Sequence, residues 1–222
     1  MKNISANYNF TYLAVGLVLL LFVGALVDHL PGNLAPMIVQ AATVAALLIG
    51  TFSLQGNRSR FIVSIVFTLV VSLLVAGSMA LENTGFSYAH LLIMLCFFGW
   101  VTWQVTQKTL FTGAIDSNKI VGTICIYMLL GLIWAMLYLF IAETIPGAFN
   151  GLPQAPWLDN FATAVYFSFV TITTLGYGDI SPALPLPRFL VYMEAIVGVF
   201  YMAILVASLI GIRISDRQAA RI

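Results

Sequence analysis

The sequence predicts an all-α membrane protein with six transmembrane helices plus one shorter helix that enters the membrane and returns through a loop. Two facts of composition and one local pattern carry this reading. The 222 residues are 61% hydrophobic and only 8% charged, with a mean hydropathy of +1.03, whereas soluble domains carry roughly 25% charged residues. Apolar runs near the ~20 residues needed to cross the hydrocarbon core recur along the whole chain. One further apolar run is too short to cross, and it leads directly into TLGYGD, which is rich in glycine and poor in helix formers.

In chain order, the spans are expected at Thr11 to Val27, Leu34 to Leu54, Phe61 to Leu81, Tyr88 to Val105, Ile120 to Ala142 and Arg188 to Ile212. The first is read as a span and not a cleaved signal, because only Lys2 precedes it and no small-residue cleavage site follows. The fourth, YAHLLIMLCFFGWVTWQV, contains no lysine or arginine, so it lacks the charges that a voltage-sensing helix moves through the field. Its Trp100, Trp103, Phe97 and Phe98 suggest packing or an interfacial aromatic belt. Residues 1–112 are thus expected to form a four-helix transmembrane domain without voltage-sensor arginines, acting as scaffold, lipid-facing collar or sensor. Residues 113–222 form the second domain, which holds the re-entrant segment.

Lysine and arginine set the orientation, since cytoplasmic loops carry the positive excess. With the N-terminus inside, Lys2, Arg58, Arg60, Lys108, Lys119, Arg213, Arg217 and Arg221 fall on the cytoplasmic side and only Arg188 outside. Both termini are then cytoplasmic, in a multi-pass protein of the cell membrane. Asp28, Glu82, Glu143, Asp159 and Asp179 give an acidic outer face that draws cations. The net charge of +1 is scattered, which argues against nucleic acid as a partner. Cys96 and Cys125 lie within apolar runs and read as buried hydrophobes. His29 and His90, near outer loops, have no cluster of metal ligands around them.

The short run, Phe161 to Thr174, reaches roughly 20 Å as a helix, well below the ~30 Å core. Asp159 stands before it as the expected N-cap, so the negative end of its dipole points into the membrane at Thr173 and Thr174 and favours a cation there. Non-helical backbone at this depth is tolerated only inside protein or along water. Gly176 and Gly178 can take positive φ, which allows successive carbonyls to face one side and replace the hydration shell of an ion. Thr174 adds its hydroxyl at the inner end, while Tyr177 points away and packs on Tyr166 and Phe167.

Thr171, Thr174, Gly176, Tyr177, Gly178 and Asp179 resemble the signature of the tetrameric potassium channels: threonine, any two residues, threonine, any residue, then Gly-Tyr-Gly-Asp. The likeness covers about Asn118 to Arg213 and implies an outer helix, a pore helix, a selectivity filter and an inner helix. Potassium ions would then bind at Thr174, Leu175, Gly176 and Tyr177, with Gly178 completing the filter. Leu175 replaces the usual valine, which keeps the carbonyl and changes the side chain behind it. In some bacterial relatives a pore-helix glutamate partners the aspartate; here that position is Val170.

Several residues keep two readings. Asp179 either hydrogen-bonds behind the filter to Tyr166 or faces water. Gly198 is a hinge of the inner helix, as the resemblance implies, or a close-packing position. Val199, Met202, Val206 and Ile210 form one stripe that lines the cavity under the resemblance or faces lipid. Glu194, the one ionisable residue well inside a span, is expected to face protein behind the pore helix as a protonated acid, for support or for gating. Arg213, Arg217 and Arg221 are positive-inside anchors or a site for anionic lipid.

The resulting expectation is a potassium-selective channel, passive and homotetrameric because a carbonyl ring needs four strands and one chain supplies one. No cofactor is implied beyond potassium as the permeant ion. No nucleophile with a base, paired acids or metal cluster points to an enzyme. A non-selective cation channel and a non-conducting regulatory membrane subunit stay open as alternatives. Few residues follow the last span, so no ligand-binding domain is expected there.

Overall fold

A computed structural model describes residues 10–27, 84–110 and 117–219, together with helical stretches within 38–49 and 62–73. The elements are α1 (Phe10–Val27), α2 (Thr84–Leu110), α3 (Ser117–Thr144), β1 (Phe149–Asn150), α4 (Phe161–Ile172), β2 (Ser181–Pro182) and α5 (Pro185–Ala219). The expected second and third spans fall largely outside the described residues, as do Lys2, Asp28, His29, Arg58, Arg60, Glu82 and Arg221.

Among the described helices, three are long and apolar enough to cross a membrane: Tyr88–Thr109, Asn118–Thr144 and Pro185–Leu205. The chain is a membrane protein on that ground. Phe10–Leu26 is apolar but shorter, and Phe161–Ile172 is shorter still. The inner helix continues beyond the expected Ile212 to Ala219, so Arg213 and Arg217 lie on its last turns.

α3 is the hub. It packs against α1, α2, α4 and α5, and α4 also touches α1. The start of α1 is tied to it directly: the Phe10 N–H donates to Asn118 Oδ1 at 3.0 Å, and the Cys125 thiol donates to the Phe10 carbonyl at 3.6 Å. The first bond satisfies one of the orphan donors that every helix N-terminus exposes. A continuous core of Leu13, Leu17, Leu91, Met94, Phe98, Leu129, Leu132 and Phe161 runs through α1, α2, α3 and α4. The front helices and the C-terminal half therefore share one core. Cys125 is buried as expected, whereas Cys96 is exposed on the outer surface of α2. His90 lies within α2 and not in a loop, with its ring edge-on to Trp157 at 4.9 Å.

Pro146 and Gly147, the latter at φ +72°, follow the end of α3, where neither residue favours further helix. The chain then forms β1, which pairs antiparallel with β2 through Phe149 opposite Pro182 and Asn150 opposite Ser181. This ribbon joins the loop before α4 to the segment after TLGYGD. A second core of Tyr138, Ile141, Phe149, Leu152, Phe167 and Ile180 lies beneath it. Its rings meet at centroid distances of 5.5 Å for Tyr138 and Phe149, 5.1 Å for Tyr138 and Phe167, and 5.8 Å for Phe149 and Phe167. Such aromatic pairs add about 0.5–1.5 kcal/mol each beyond their burial. They fix α4 against α3.

Candidate pore and its supports

α4 begins one residue later than its expected cap. Asn160 occupies the N-cap without capping through its side chain. Its amide nitrogen donates instead to the carbonyls of Pro153 (2.8 Å) and Ala155 (3.2 Å), which ties the preceding loop together. Asp159 is exposed and leaves the cap to its neighbour. The dipole of α4 still runs from this outer loop toward Thr173.

The C-terminus of α4 explains how the chain turns back. Thr174 has φ +59°, the one described non-glycine residue with positive φ. Its N–H donates to the Thr171 carbonyl at 2.9 Å, and the Leu175 N–H reaches the Val170 carbonyl at 2.9 Å. These are the two bonds of a Schellman motif, with Thr174 at the left-handed position where glycine is usual. A β-branched residue held there stores strain of about 1–3 kcal/mol. The Gly176 N–H also reaches the Val170 carbonyl, at 3.2 Å.

Beyond this turn the backbone alternates. Gly176 lies at φ +56° and Gly178 at φ +83°, while Leu175 and Tyr177 are not in the positive region. Thr173 through Asp179 form an uninterrupted exposed run in the single chain. Leu175 is 55% and Tyr177 67% exposed, so one face of this segment lacks any covering from its own chain.

The other side is supported. The Tyr177 ring stacks on Tyr166 at 6.5 Å with an interplanar angle of 11°. The Tyr166 hydroxyl donates to Asp179 Oδ2 at 2.8 Å. Phe167, expected to contact Tyr177 as well, instead turns into the aromatic core with Tyr138 and Phe149. Thr171 and Val170 are buried against the protein.

The last carbonyl of α4, at Ile172, is held from two sides. The Tyr127 hydroxyl of α3 donates to it at 3.1 Å. Gly198 of α5 approaches so closely that a Cβ there would lie 2.1 Å from the same oxygen. Close packing alone therefore requires glycine at 198. Tyr201 stacks on Tyr127 at 5.6 Å and donates to the Thr123 carbonyl at 2.6 Å, fastening α5 to α3.

Glu194 is fully buried behind α4. Its Oε2 accepts from the Tyr138 hydroxyl, and its Oε1 lies 2.5 Å from Ser168 Oγ, which also bonds the Gly131 carbonyl at 2.7 Å. Val199 and Met202 are exposed on α5; the side chains of Val206, Ile210, Arg213 and Arg217 lie outside the described residues. Ser168, Tyr138 and Tyr127 were not singled out from the sequence. A serine on the pore helix and tyrosines within an apolar span were the available signals, without anything to pair them.

A short helix, a returning loop of alternating backbone handedness and two flanking helices make up the C-terminal half. Residues 122–212 match a family model described as "Ion channel". The chain is also 33% identical over 94 residues to the inward rectifier potassium channel Kirbac3.1 of Paramagnetospirillum magnetotacticum, a match covering 42% of this chain and 29% of that protein's length. Residues 122–212 thus match an ion-channel family, and the chain spans under a third of the length of the potassium channel it resembles.

Proposed function

We propose that the protein is a potassium-selective channel that conducts K+ passively through a homotetrameric pore. The observation that carries this reading is the alternation of positive φ at Thr174, Gly176 and Gly178 within an exposed strand. When left- and right-handed residues alternate, successive peptide planes rotate so that their carbonyls face one side. Four such strands around an axis replace the water of a dehydrated ion. The ligands are the carbonyls of Thr174, Leu175, Gly176 and Tyr177 together with the Thr174 hydroxyl, and Gly178 gives the outer strand its turn. Tyr166 and Asp179, linked by their hydrogen bond, brace the strand, and Thr171 and Glu194 hold the helix behind it. The negative end of α4 faces the cavity below the strand and stabilises an entering cation.

Four copies are favoured by what one chain leaves uncovered. Only 11% of the apolar span of α5 is buried within the chain, against 44% for the span in α2 and 56% for that in α3. Exposed non-helical backbone in a membrane must be covered by protein or line water, and a closed ring of identical chains does both. In this arrangement Val199, Met202, Val206 and Ile210 line the cavity, and Gly198 is the point about which the lower part of α5 bends. The full topology is six spans in the cell membrane with both termini cytoplasmic, 1–112 forming the four-helix domain and 113–222 the pore domain. Arg213, Arg217 and Arg221 then meet anionic lipid headgroups.

Flux in liposomes tests conduction. Wild-type protein is expected to pass potassium down its gradient far faster than sodium, and Gly178→Ala, which adds a Cβ at φ +83°, is expected to abolish that flux while the protein still assembles. Equal flux of both ions would overturn the selectivity.

A further inference from the structure

We propose that Glu194 is a neutral carboxylic acid whose proton completes a three-helix tie, linking α5 through Ser168 of α4 to the Gly131 carbonyl of α3, and that ionising it breaks this tie between α4 and α3. The inference rests on the channel reading for its consequence but not for the proton itself.

The proton follows from counting donors. The Gly131 carbonyl is an acceptor only, and it lies 2.7 Å from Ser168 Oγ. Ser168 has one hydroxyl proton, which that contact uses. Ser168 Oγ is also 2.5 Å from Glu194 Oε1, so the second contact needs a proton from the carboxyl group. The Tyr138 hydroxyl donates to the other oxygen, Oε2. Were the carboxyl ionised, Ser168 would have to turn its proton to Glu194, and the Gly131 carbonyl would face a lone pair at hydrogen-bond distance. With the acid neutral, each of the three close oxygen–oxygen contacts of the cluster holds a proton.

The surroundings agree. Glu194 and Ser168 are fully buried, and the hydrogen-bond partners of the carboxyl are two neutral hydroxyls. The titratable groups facing it are Tyr138, which is bonded to it, and Tyr127, which lies within reach of its charge; both belong to α3. No arginine, lysine or histidine is bonded to it among the described residues. A carboxylate here would be a buried charge without a counterion.

The sign of the pH effect follows. The tie is complete while the acid is neutral and is lost as pH rises through its ionisation in the folded protein. Ser168 then swings from Gly131 to the carboxylate. Because α4 carries Thr174 and its flanking turn, the returning strand loses one of its supports. Ser168 and Glu194 are thus positioning residues, acting through the pore helix.

The test uses the full chain reconstituted in lipid. Infrared difference spectra at neutral pH, wild type minus Glu194→Gln, are expected to contain the C=O stretch of a protonated carboxyl, and raising the pH is expected to replace it with carboxylate bands. Glutamine can donate to Ser168 and accept from Tyr138, so Glu194→Gln is expected to keep potassium flux near the wild-type level and to be flat with pH. Wild-type flux should fall severalfold on the alkaline side. Absence of the protonated band at neutral pH, or the same alkaline loss in Glu194→Gln, would overturn the proposal. Presence of the band in a protein that passes no potassium would support the proton assignment and contradict the channel reading instead.

Discussion

Thr174 has two roles that glycine could not combine. Its left-handed backbone ends α4 by the Schellman bonds and begins the alternation continued by Gly176 and Gly178. Its hydroxyl stands at the inner end of the same strand. Thr174→Gly is expected to relieve backbone strain and raise the thermal stability of the assembled protein by about 1 kcal/mol, while weakening occupancy of the innermost ion position; heat-induced dissociation of the oligomer and potassium titration read the two effects separately. Tyr166→Phe deletes the donor to Asp179 and keeps the stack on Tyr177. It is expected to cost about 1 kcal/mol and to shorten conducting episodes, seen as briefer openings in single-channel records. The glycines, Tyr177 and the Tyr166–Asp179 pair were legible in the sequence because their chemistry is local. The left-handed threonine was not, since threonine has no intrinsic preference for that region and only the bonds around Val170 hold it there.

At the level of elements, the pore helix is clasped between α3 and α5 at its inner end. Tyr127 donates to the Ile172 carbonyl, and Gly198 gives α5 room to lie against the same group. Gly198→Ala places a methyl into that oxygen and is expected to cost about 1–3 kcal/mol through overpacking, lowering the thermal stability of the oligomer. A position serving only as a hinge would change open probability and leave that stability intact. The short run before TLGYGD was legible as a helix too short to span from its length, and the spans at α2, α3 and α5 from their hydropathy. The cap was misplaced by one residue because Asp159 and Asn160 are both capable N-cap residues, and the loop contacts of Asn160 decide between them. The cluster of Tyr138, Ser168 and Glu194 was out of reach: its members lie 26 and 56 residues apart in sequence and meet only through packing.

As a whole molecule, the chain packs one face of α1 and of α2 into a shared core and leaves most of the apolar span of α5 bare. α1 and α2 share a core with α3 and α4, while α5 and the strand from Thr173 to Asp179 are exposed. That asymmetry suits a subunit whose remaining contacts are made by its copies, so native mass measurement in detergent is expected to give four chains. It also places α2, which contains no arginine, in direct contact with α3. Selectivity for potassium is read from the reversal potential of the purified protein in a planar bilayer. With potassium on one side and sodium on the other, the current should reverse close to the potassium equilibrium potential; reversal near zero would mean that the alternating strand does not select between the two ions.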